Sequence, residues 1–161
     1  MALWQFTIQF VPKEVVDGRD SLPQDEWGER EWWIKRQPPH DFRDVFLTML
    51  PTLKSWSEDL LQWGVQASDL VEVWIEEDAV EAVSARIDCR NLNSVFIRNI
   101  FDIASDWDCN LVYDRYRTVL PESLPEFIDA IWNSPNHQFM KAPAEWLPKL
   151  AKEVSDAKEN R

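Results

Sequence analysis

Residues 70–113 constrain the fold most, because apolar and polar residues alternate there in two consecutive runs. In the first run, one face of an extended chain carries Val71, Val73 and Ile75, and the other carries Glu72, Trp74 and Glu76. In the second, residues 80–89, one face carries Val83, Ala85, Ile87 and Cys89. Such alternation, with β-branched residues on one face, is typical of a half-buried strand. We therefore predict two antiparallel strands joined by a polar break at residues 77–79.

The register of this hairpin follows from matching its two apolar rows. If position 75 faces position 83, then 73 faces 85 and 71 faces 87, and the rows coincide. A slip of one residue would turn one row to water, so this register is well specified. It also places Arg86 opposite Glu72, a cross-strand charge pair worth about 0.2–1 kcal/mol.

Three further segments near the hairpin show strand or helix spacing. Residues 3–11 alternate and predict a first strand, with Trp4, Phe6, Ile8 and Phe10 inward and Gln5, Thr7 and Gln9 outward. After an N-cap at Asn91 or Asn93, apolar residues recur at helical spacing as far as Trp107. Residues 109–113 then give a short apolar strand.

The remaining periodic segments predict helices. Residues 41–63 carry one apolar stripe at helical spacing, with a kink or a second start at Pro51 and an end at Gly64. Residues 124–132 form an amphipathic helix preceded by a capping-box sequence, Ser123 to Glu126, and followed by a break at 133–137. A last short helix is predicted from Pro143 to about Glu153, with a frayed tail from about residue 154 to 161.

The order of these elements predicts an α+β fold of one domain over residues 1–161. Strand, helix, strand, strand, helix, strand matches the ferredoxin-like βαββαβ motif, with additional C-terminal helices. Right-handed crossovers would give an antiparallel sheet of strand order 4-1-3-2 with helices on one face. Cys89 and Cys109 would then lie at opposite ends of the sheet, too far apart for a disulfide, so both are expected to be reduced.

The segment 12–39 has no clear period and is expected to form a long loop or flap. Breaker residues interrupt it, and loops of this length are either functional or mobile. Its apolar centre, which includes Trp32 and Trp33, has two interpretations. It is a lid that buries both indoles in the core of this chain, or it is an aromatic contact surface.

Charge and composition limit the function classes. The chain has 29 acidic and 17 basic residues and a formal charge of −12, which repels nucleic acid and anionic membranes and favours cationic partners. No apolar run approaches the ~20 residues that span a bilayer, and no signal peptide is visible. Two cysteines give no disulfide framework, so we expect a cytoplasmic protein.

Motifs for chemistry are missing from the sequence. His40 and His137 have no ligand or base partner at a recognisable spacing, and zinc, Walker and nucleophile-elbow patterns are absent. We therefore predict no metal, no cofactor and no catalytic residue. These absences argue against an enzyme but leave the question open.

Three segments carry a resemblance to known proteins. They are Trp56-Ser-Glu-Asp-Leu-Leu-Gln-Trp-Gly64, Ile87-Asp-Cys-Arg-Asn91 and Asp108-Cys-Asn-Leu-Val112. They resemble segments in a set of small, acidic, uncharacterised bacterial proteins, over roughly residues 40 to 150. In size and composition alone, the chain is also similar to the immunity proteins of bacterial toxin systems. Neither resemblance assigns a function to any residue.

The function that we predict is a non-catalytic module that binds a basic protein, with an immunity protein as one form of such a module. Ten tryptophans in an acidic chain support this prediction, because aromatic anchors in acidic surroundings suit a cationic partner. The candidate contacts are Trp27, Trp32, Trp33, Glu72, Trp74 and Glu76. Two alternatives stay open: a small-molecule binding or enzymatic domain with a pocket under the 12–39 segment, and self-association into a homo-oligomer.

Overall fold

The computed structural model describes residues 2–159, and this part of the chain folds into seven strands and seven helices. The strands are β1 (Gln5–Pro12), β2 (Thr52–Leu53), β3 (Leu60–Gly64), β4 (Leu70–Glu76), β5 (Ala79–Asp88), β6 (Cys109–Tyr113) and β7 (Thr118–Val119). The helices are α1 (Lys13–Val16), α2 (Gln24–Glu29), α3 (Phe42–Met49), α4 (Ser94–Asp106), α5 (Leu124–Trp132), α6 (Pro135–Lys141) and α7 (Pro143–Glu159).

The strands form one antiparallel sheet in the order β2-β3-β4-β5-β1-β6-β7. The α+β class and the antiparallel sheet are therefore as predicted. Within the sheet, the four predicted strands are neighbours in the order β4-β5-β1-β6, which is the predicted order read from the other edge. The ferredoxin-like topology is not confirmed, because β2 and β3 extend the sheet at one edge and β7 extends it at the other.

The prediction of a helical region over residues 41–63 is confirmed for residues 42–49 and is wrong beyond Met49. Helix α3 ends at Met49, just before Pro51, and residues 60–64 form strand β3. Gly64 does not end a helix: its N–H donates to the carbonyl of Pro51 at 2.7 Å, and its φ is 113°. A Cβ at this position would lie 2.2 Å from the carbonyl oxygen of Asp69, so only glycine fits here. Of the predicted apolar stripe, Phe42, Phe46 and Leu60 are buried, whereas Trp56 is exposed.

The hairpin register differs from the prediction by two residues. Glu77 and Asp78 form a two-residue turn with φ values of 50° and 66°, and a bulge follows between Trp74 and Ile75. Position 73 consequently faces 83, and 71 faces 85. A shift of two preserves the face of each side chain up to the bulge, so Val71, Val73 and the row Val83, Ala85, Ile87 and Cys89 are buried as predicted. Beyond the bulge, Ile75 faces Val80 and is only partly buried. Arg86 contacts Glu72 diagonally, because the residue opposite Glu72 is Ser84.

The helix-covered face of the sheet holds most of the apolar core. On β1, Phe6, Ile8 and Phe10 are almost fully buried. Phe10 packs against Trp107 just after α4 (5.9 Å between ring centroids), and Trp107 packs in turn against Phe46 of α3 (5.5 Å). Strand β1 begins at Gln5, so Trp4 lies before it and is only partly buried.

The segment 12–39 contains two short helices and lies against the sheet. Trp32 and Trp33 are 3% and 1% exposed and belong to the core, which is the lid interpretation of these residues. Gln37 fixes the segment to the start of β5: its Oε1 accepts the N–H of Val80 at 2.6 Å, and its Nε2 donates to the carbonyl of Trp33 at 2.7 Å.

The C-terminal region is more helical than predicted. Helix α5 has the predicted bounds, although the Ser123 side chain makes no capping hydrogen bond. The predicted break after α5 is present but covers only Asn133 and Ser134, because Pro135 occupies the first turn of a new helix, α6, and Ser134 caps it. Helix α7 continues to Glu159, beyond the predicted end near Glu153; residues 160 and 161 of the predicted tail lie outside the described residues.

Both cysteines are free and buried, as predicted. The N–H of Cys89 donates to the carbonyl of Trp4, before the start of β1, whereas Cys109 pairs with Pro12 at the end of β1. The length of β1 therefore separates the two thiols.

Candidate functional site

Two grooves adjoin the face of the sheet that α3 and α4 leave open. The first, called here the sheet-face groove, has a volume of about 280 Å³. Its lining combines residues of four strands with Arg30 and Trp56: Thr7, Gln9, Arg30, Trp56, Leu60, Gln66, Glu72, Trp74, Ser84, Arg86 and Asp114. The second, called the acidic groove, has a volume of about 400 Å³ and lies between residues 29–37 and the tip of the β4–β5 hairpin.

A buried ion pair forms the floor of the sheet-face groove. The Arg86 guanidinium lies 2.5 Å from Glu72 Oε1, with side-chain exposures of 17% and 9%. The side-chain amide of Gln62 donates to Glu72 Oε2 at 3.0 Å. Both oxygens of the carboxylate are therefore engaged, so the buried charge is compensated by a cation and a hydrogen bond.

Gln9 of β1 extends this polar floor towards β6. Its Nε2 donates to Asp114 Oδ1 at 3.1 Å, which fixes the orientation of the amide. Its Oε1 is buried and has no hydrogen-bond partner among the described residues. An unpaired buried acceptor is unfavourable, and such atoms are rare in folded proteins.

Two tryptophans form the rim of the sheet-face groove. Trp56 lies in the loop between β2 and β3 and is 78% exposed. Its ring packs edge-to-face on Trp74 of β4, with 5.6 Å between centroids and an interplanar angle of 66°. One large aromatic surface therefore remains open to solvent beside a polar floor.

The acidic groove is lined by several exposed carboxylates. Its lining includes the carboxylates Glu29, Glu31, Glu76 and Glu81, together with Arg30, Trp33 and Ile34. Among residues 2–159, none of the four carboxylates forms an ion pair. Ile34 is 71% exposed and supplies an apolar surface next to them.

Arg30 lies between the two grooves and lines both. It ends helix α2 with a φ of 52°, in the left-handed region. Its guanidinium lies 5.8 Å from the centroid of the Trp27 ring, a cation–π distance. This side chain separates a charge-balanced groove from an acidic one.

The structure brings the six predicted contact residues together only in pairs. Glu72 and Trp74 line the sheet-face groove, and Trp33 and Glu76 line the acidic groove. Trp27 and Trp32 pack against each other with 5.0 Å between centroids. Because Trp32 and Trp33 are buried, their rings are inaccessible to a partner in this conformation.

Sequence reasoning missed Arg30, Trp56, Gln62 and Asp114. Trp56 and Gln62 were assigned to a helix, and Arg30 and Asp114 lie at loop positions with no periodic signal. The positive φ of Arg30 and the pairing of Asp114 with Gln9, 105 positions away, are tertiary features. A high local content of Trp and Ser over residues 55–57 was the one available signal.

A separate network of polar side chains lies at the end of the open face that is remote from the acidic groove. Burial alone would raise the pKa of Asp88, but hydrogen bonds from Arg90 and Ser68 outweigh it and hold this pKa below its usual range. Burial raises the pKa of Asp69, whose Oδ1 accepts the N–H of Asp88 at 2.8 Å. Arg90 also lies over the Trp4 ring at 4.5 Å. These groups satisfy one another, so the network is structural.

The remaining candidates for chemistry are also structural. Burial raises the pKa of Cys89 and of Cys109 to about 12, which leaves both thiols protonated and unreactive at neutral pH. His137 Nδ1 contacts the carbonyl of Trp132 at 2.9 Å. Residues 2–159 contain no group of three His, Cys, Asp or Glu side chains that could hold a metal ion. No helix within the same range is long and apolar enough to cross a bilayer.

No protein-family model matches the sequence, and searches of curated proteins and of solved structures give no significant match. The geometry of the two grooves is therefore the basis for a functional conclusion.

Proposed function

We propose that this chain is a non-catalytic protein-binding module whose acidic groove binds a basic protein segment. One observation carries the proposal: four exposed carboxylates surround the groove, and none has an ion-pair partner among the described residues. In an immunity-type form of this function, the partner is a basic toxin whose cationic surface the module covers. The two buried free thiols fit a reducing compartment such as the cytoplasm.

Electrostatics supports this choice of partner. The chain has a formal charge of −12, so its field attracts cations over several ångströms at physiological salt. The carboxylates of the acidic groove repel one another in the free chain. A lysine or arginine side chain between them would relieve this repulsion. Ile34 supplies an exposed apolar contact surface at the same place.

The test compares two variants that remove the same number of negative charges. The groove variant carries Glu29→Gln, Glu31→Gln, Glu76→Gln and Glu81→Gln. The control carries Asp106→Asn, Glu126→Gln, Asp129→Asn and Asp156→Asn, at exposed positions on helices α4, α5 and α7 that form no ion pair in the described part of the chain. Each immobilised chain is exposed to lysine-rich peptides and to basic proteins, and the bound amount is measured by surface plasmon resonance.

We expect the groove variant to lose at least about tenfold in affinity and the control to lose less than about twofold. Raising the salt concentration from about 0.05 to 0.5 M should weaken binding to the native chain. Equal losses in the two variants would show that only net charge matters. Binding that survives both high salt and the groove substitutions would rule out the acidic groove.

Self-association remains a prediction of the sequence. The edges of the sheet are the two-residue strands β2 and β7, which offer few free backbone groups for pairing with a second copy. Sedimentation equilibrium of the native chain would measure the oligomeric state directly.

A further inference from the structure

We propose that the sheet-face groove binds a neutral saccharide, with the open face of Trp56 against the C–H face of the sugar and the polar floor hydrogen-bonded to its hydroxyls. This site is distinct from the acidic groove, so the inference is independent of the protein-binding function. Its volume of about 280 Å³ is near the lower limit of the ~300–1,000 Å³ typical of ligand pockets. A ligand of one or two sugar rings suits this size.

The charge of the lining favours a neutral ligand. Glu72 and Asp114 supply two negative charges, and Arg30 and Arg86 supply two positive ones. The acidic groove, by contrast, has four carboxylates and one guanidinium. A cation would meet both guanidiniums of the sheet-face groove, and an anion would meet Asp114. Neither sign of charge gains in this groove.

The aromatic rim favours a ligand with a C–H-rich face over a flat heterocycle. Trp56 and Trp74 already pack edge-to-face at 5.6 Å, so no slot remains between them for a planar base. One broad ring face of Trp56 stays open, since the residue is 78% exposed. The face of an aromatic ring is electron-rich, and the polarised C–H groups on one side of a pyranose carry positive partial charge. The two surfaces are complementary.

The floor offers donors and acceptors side by side, which is the pattern that hydroxyl groups match. A guanidinium carries five N–H donors, more than the contact of Arg86 with Glu72 can use. Gln9 lines the groove, and its buried Oε1 has no hydrogen-bond partner within residues 2–159. A hydroxyl donates and accepts at once, so adjacent sugar hydroxyls can bond an amide oxygen and a guanidinium in turn. Glu72 is held by both Gln62 and Arg86, so the floor is ordered before a ligand arrives.

The experiment uses the full chain and four disaccharides: maltose, cellobiose, lactose and N,N′-diacetylchitobiose. Saturation-transfer NMR detects binding, and tryptophan fluorescence gives the dissociation constant. We expect at least one disaccharide to bind with a millimolar dissociation constant that does not change with salt. Trp56→Ala should weaken this binding about tenfold or more, whereas Trp56→Phe should retain most of it. Circular dichroism of each variant checks folding, which an exposed side chain should not affect.

Trp132→Ala is the matched control, because Trp132 is also exposed (48%) but lies on α5, outside the groove. Its substitution should leave the dissociation constant unchanged. The proposal is overturned if none of the four sugars binds at concentrations up to about 20 mM. It is also overturned if Trp132→Ala weakens binding as much as Trp56→Ala does, or if binding falls steeply with salt.

Discussion

Side chains on both faces of the sheet are buried along β1, but those on one face are apolar and those on the other are polar. Phe6, Ile8 and Phe10 lie on the face where Phe10 packs against Trp107, and at most 1% of each is exposed. Gln5 and Gln9 face the other way and are 1% and 4% exposed. On the helix-covered face, burial removes apolar surface from water and stabilises the fold directly. On the open face, each buried polar group needs a partner.

The alternation of apolar and polar residues therefore predicts which side chains pack against helices. It does not predict which of the polar side chains are exposed to solvent. Polar residues on the open face are buried by one another and by residues from distant loops. The amide of Gln5 donates to the carbonyls of Gln66 and Ser68, and Gln9 bonds Asp114. A surface made of paired polar groups is less tolerant of single substitutions than an apolar core is of conservative ones.

The largest expected effect tests the helix-covered face. Phe10→Ala removes a buried ring that packs on Trp107, and it should lower the free energy of unfolding by about 3–5 kcal/mol. Gln9→Ala, on the adjacent position of the opposite face, removes one hydrogen bond and one unpaired acceptor. It should cost less than about 1.5 kcal/mol. Urea denaturation measures both, and equal costs would break the contrast between the faces.

The next effect tests the pairing within the open face. Glu72→Met and Arg86→Met each leave a charged partner with little solvent, and each should cost about 2–4 kcal/mol. The double variant leaves no unpaired charge and should be more stable than either single variant. A double-mutant cycle by urea denaturation gives the coupling. Additive losses would show that the ion pair contributes nothing beyond its separate side chains.

A smaller effect concerns the turn that sets the register of both faces. Glu77 and Asp78 adopt positive φ, which costs an L-residue about 1–2 kcal/mol, less for Asp. The substitutions Glu77→Asn and Asp78→Gly suit this turn type and should together stabilise the fold by about 0.5–1 kcal/mol. Thermal denaturation followed by circular dichroism would show a raised midpoint. A lowered midpoint would mean that the carboxylates of Glu77 and Asp78 stabilise the fold by more than their backbone conformation costs.

The smallest effect is a pH dependence at the far end of the open face. Burial raises the pKa of Asp69 above its ordinary value, so the folded chain binds this proton more tightly than the unfolded chain does. The charged carboxylate therefore destabilises the fold at pH 7, and this penalty disappears as the pH falls through the raised pKa and below the ordinary value of about 3.9. Asn Oδ1 can still accept the N–H of Asp88, so Asp69→Asn should remove the charge and keep this hydrogen bond. The variant should therefore have a higher denaturation midpoint than the native chain at pH 7, and this difference should disappear in acid.

Asp88→Asn is the opposite control for this prediction. Burial opposes ionisation of Asp88, but hydrogen bonds from Arg90 and Ser68 prevail, and its pKa is lowered in the fold. The ionised group therefore stabilises the fold above the ordinary aspartate pKa, and this contribution is lost as the pH falls through the lowered one. The variant should be less stable at pH 7 and should approach the native chain in acid. The same sign for both variants would contradict the pKa directions.

Local patterns were sufficient where one short-range rule decides the structure. The alternation in β1, β4 and β5 placed Val73 and Ile87 inward, and both are fully buried. Asn93, one of two predicted caps, accepts the N–H groups of Val95 and Phe96. These features depend on period and on capping chemistry, which the sequence displays directly.

Local patterns failed where two structures satisfy the same spacing. Residues 60–64 fit a helical stripe, but their backbone pairs with β4, and Gly64 is needed for a close approach to Asp69. The hairpin register differs by two residues because a two-residue turn and a bulge replace the predicted three-residue break. A shift of two leaves the side-chain faces of residues 71–74 and 82–86 unchanged. The same residues are apolar in a helix or a strand over 60–64, and in either register of the hairpin. Composition and periodicity therefore cannot distinguish these structures.

The sequence by itself determined the antiparallel sheet, its apolar face, the reduced cysteines and a strongly acidic surface. Only the tertiary structure decided that Arg30 separates two grooves, that Trp56 stands beside Trp74, and that the carboxylates of the acidic groove form no ion pair with any described residue. The physical reason is range. The periodicity of apolar residues and the net charge can be read directly from the sequence. A groove depends on contacts between segments that are far apart in the chain, and those contacts exist only after folding.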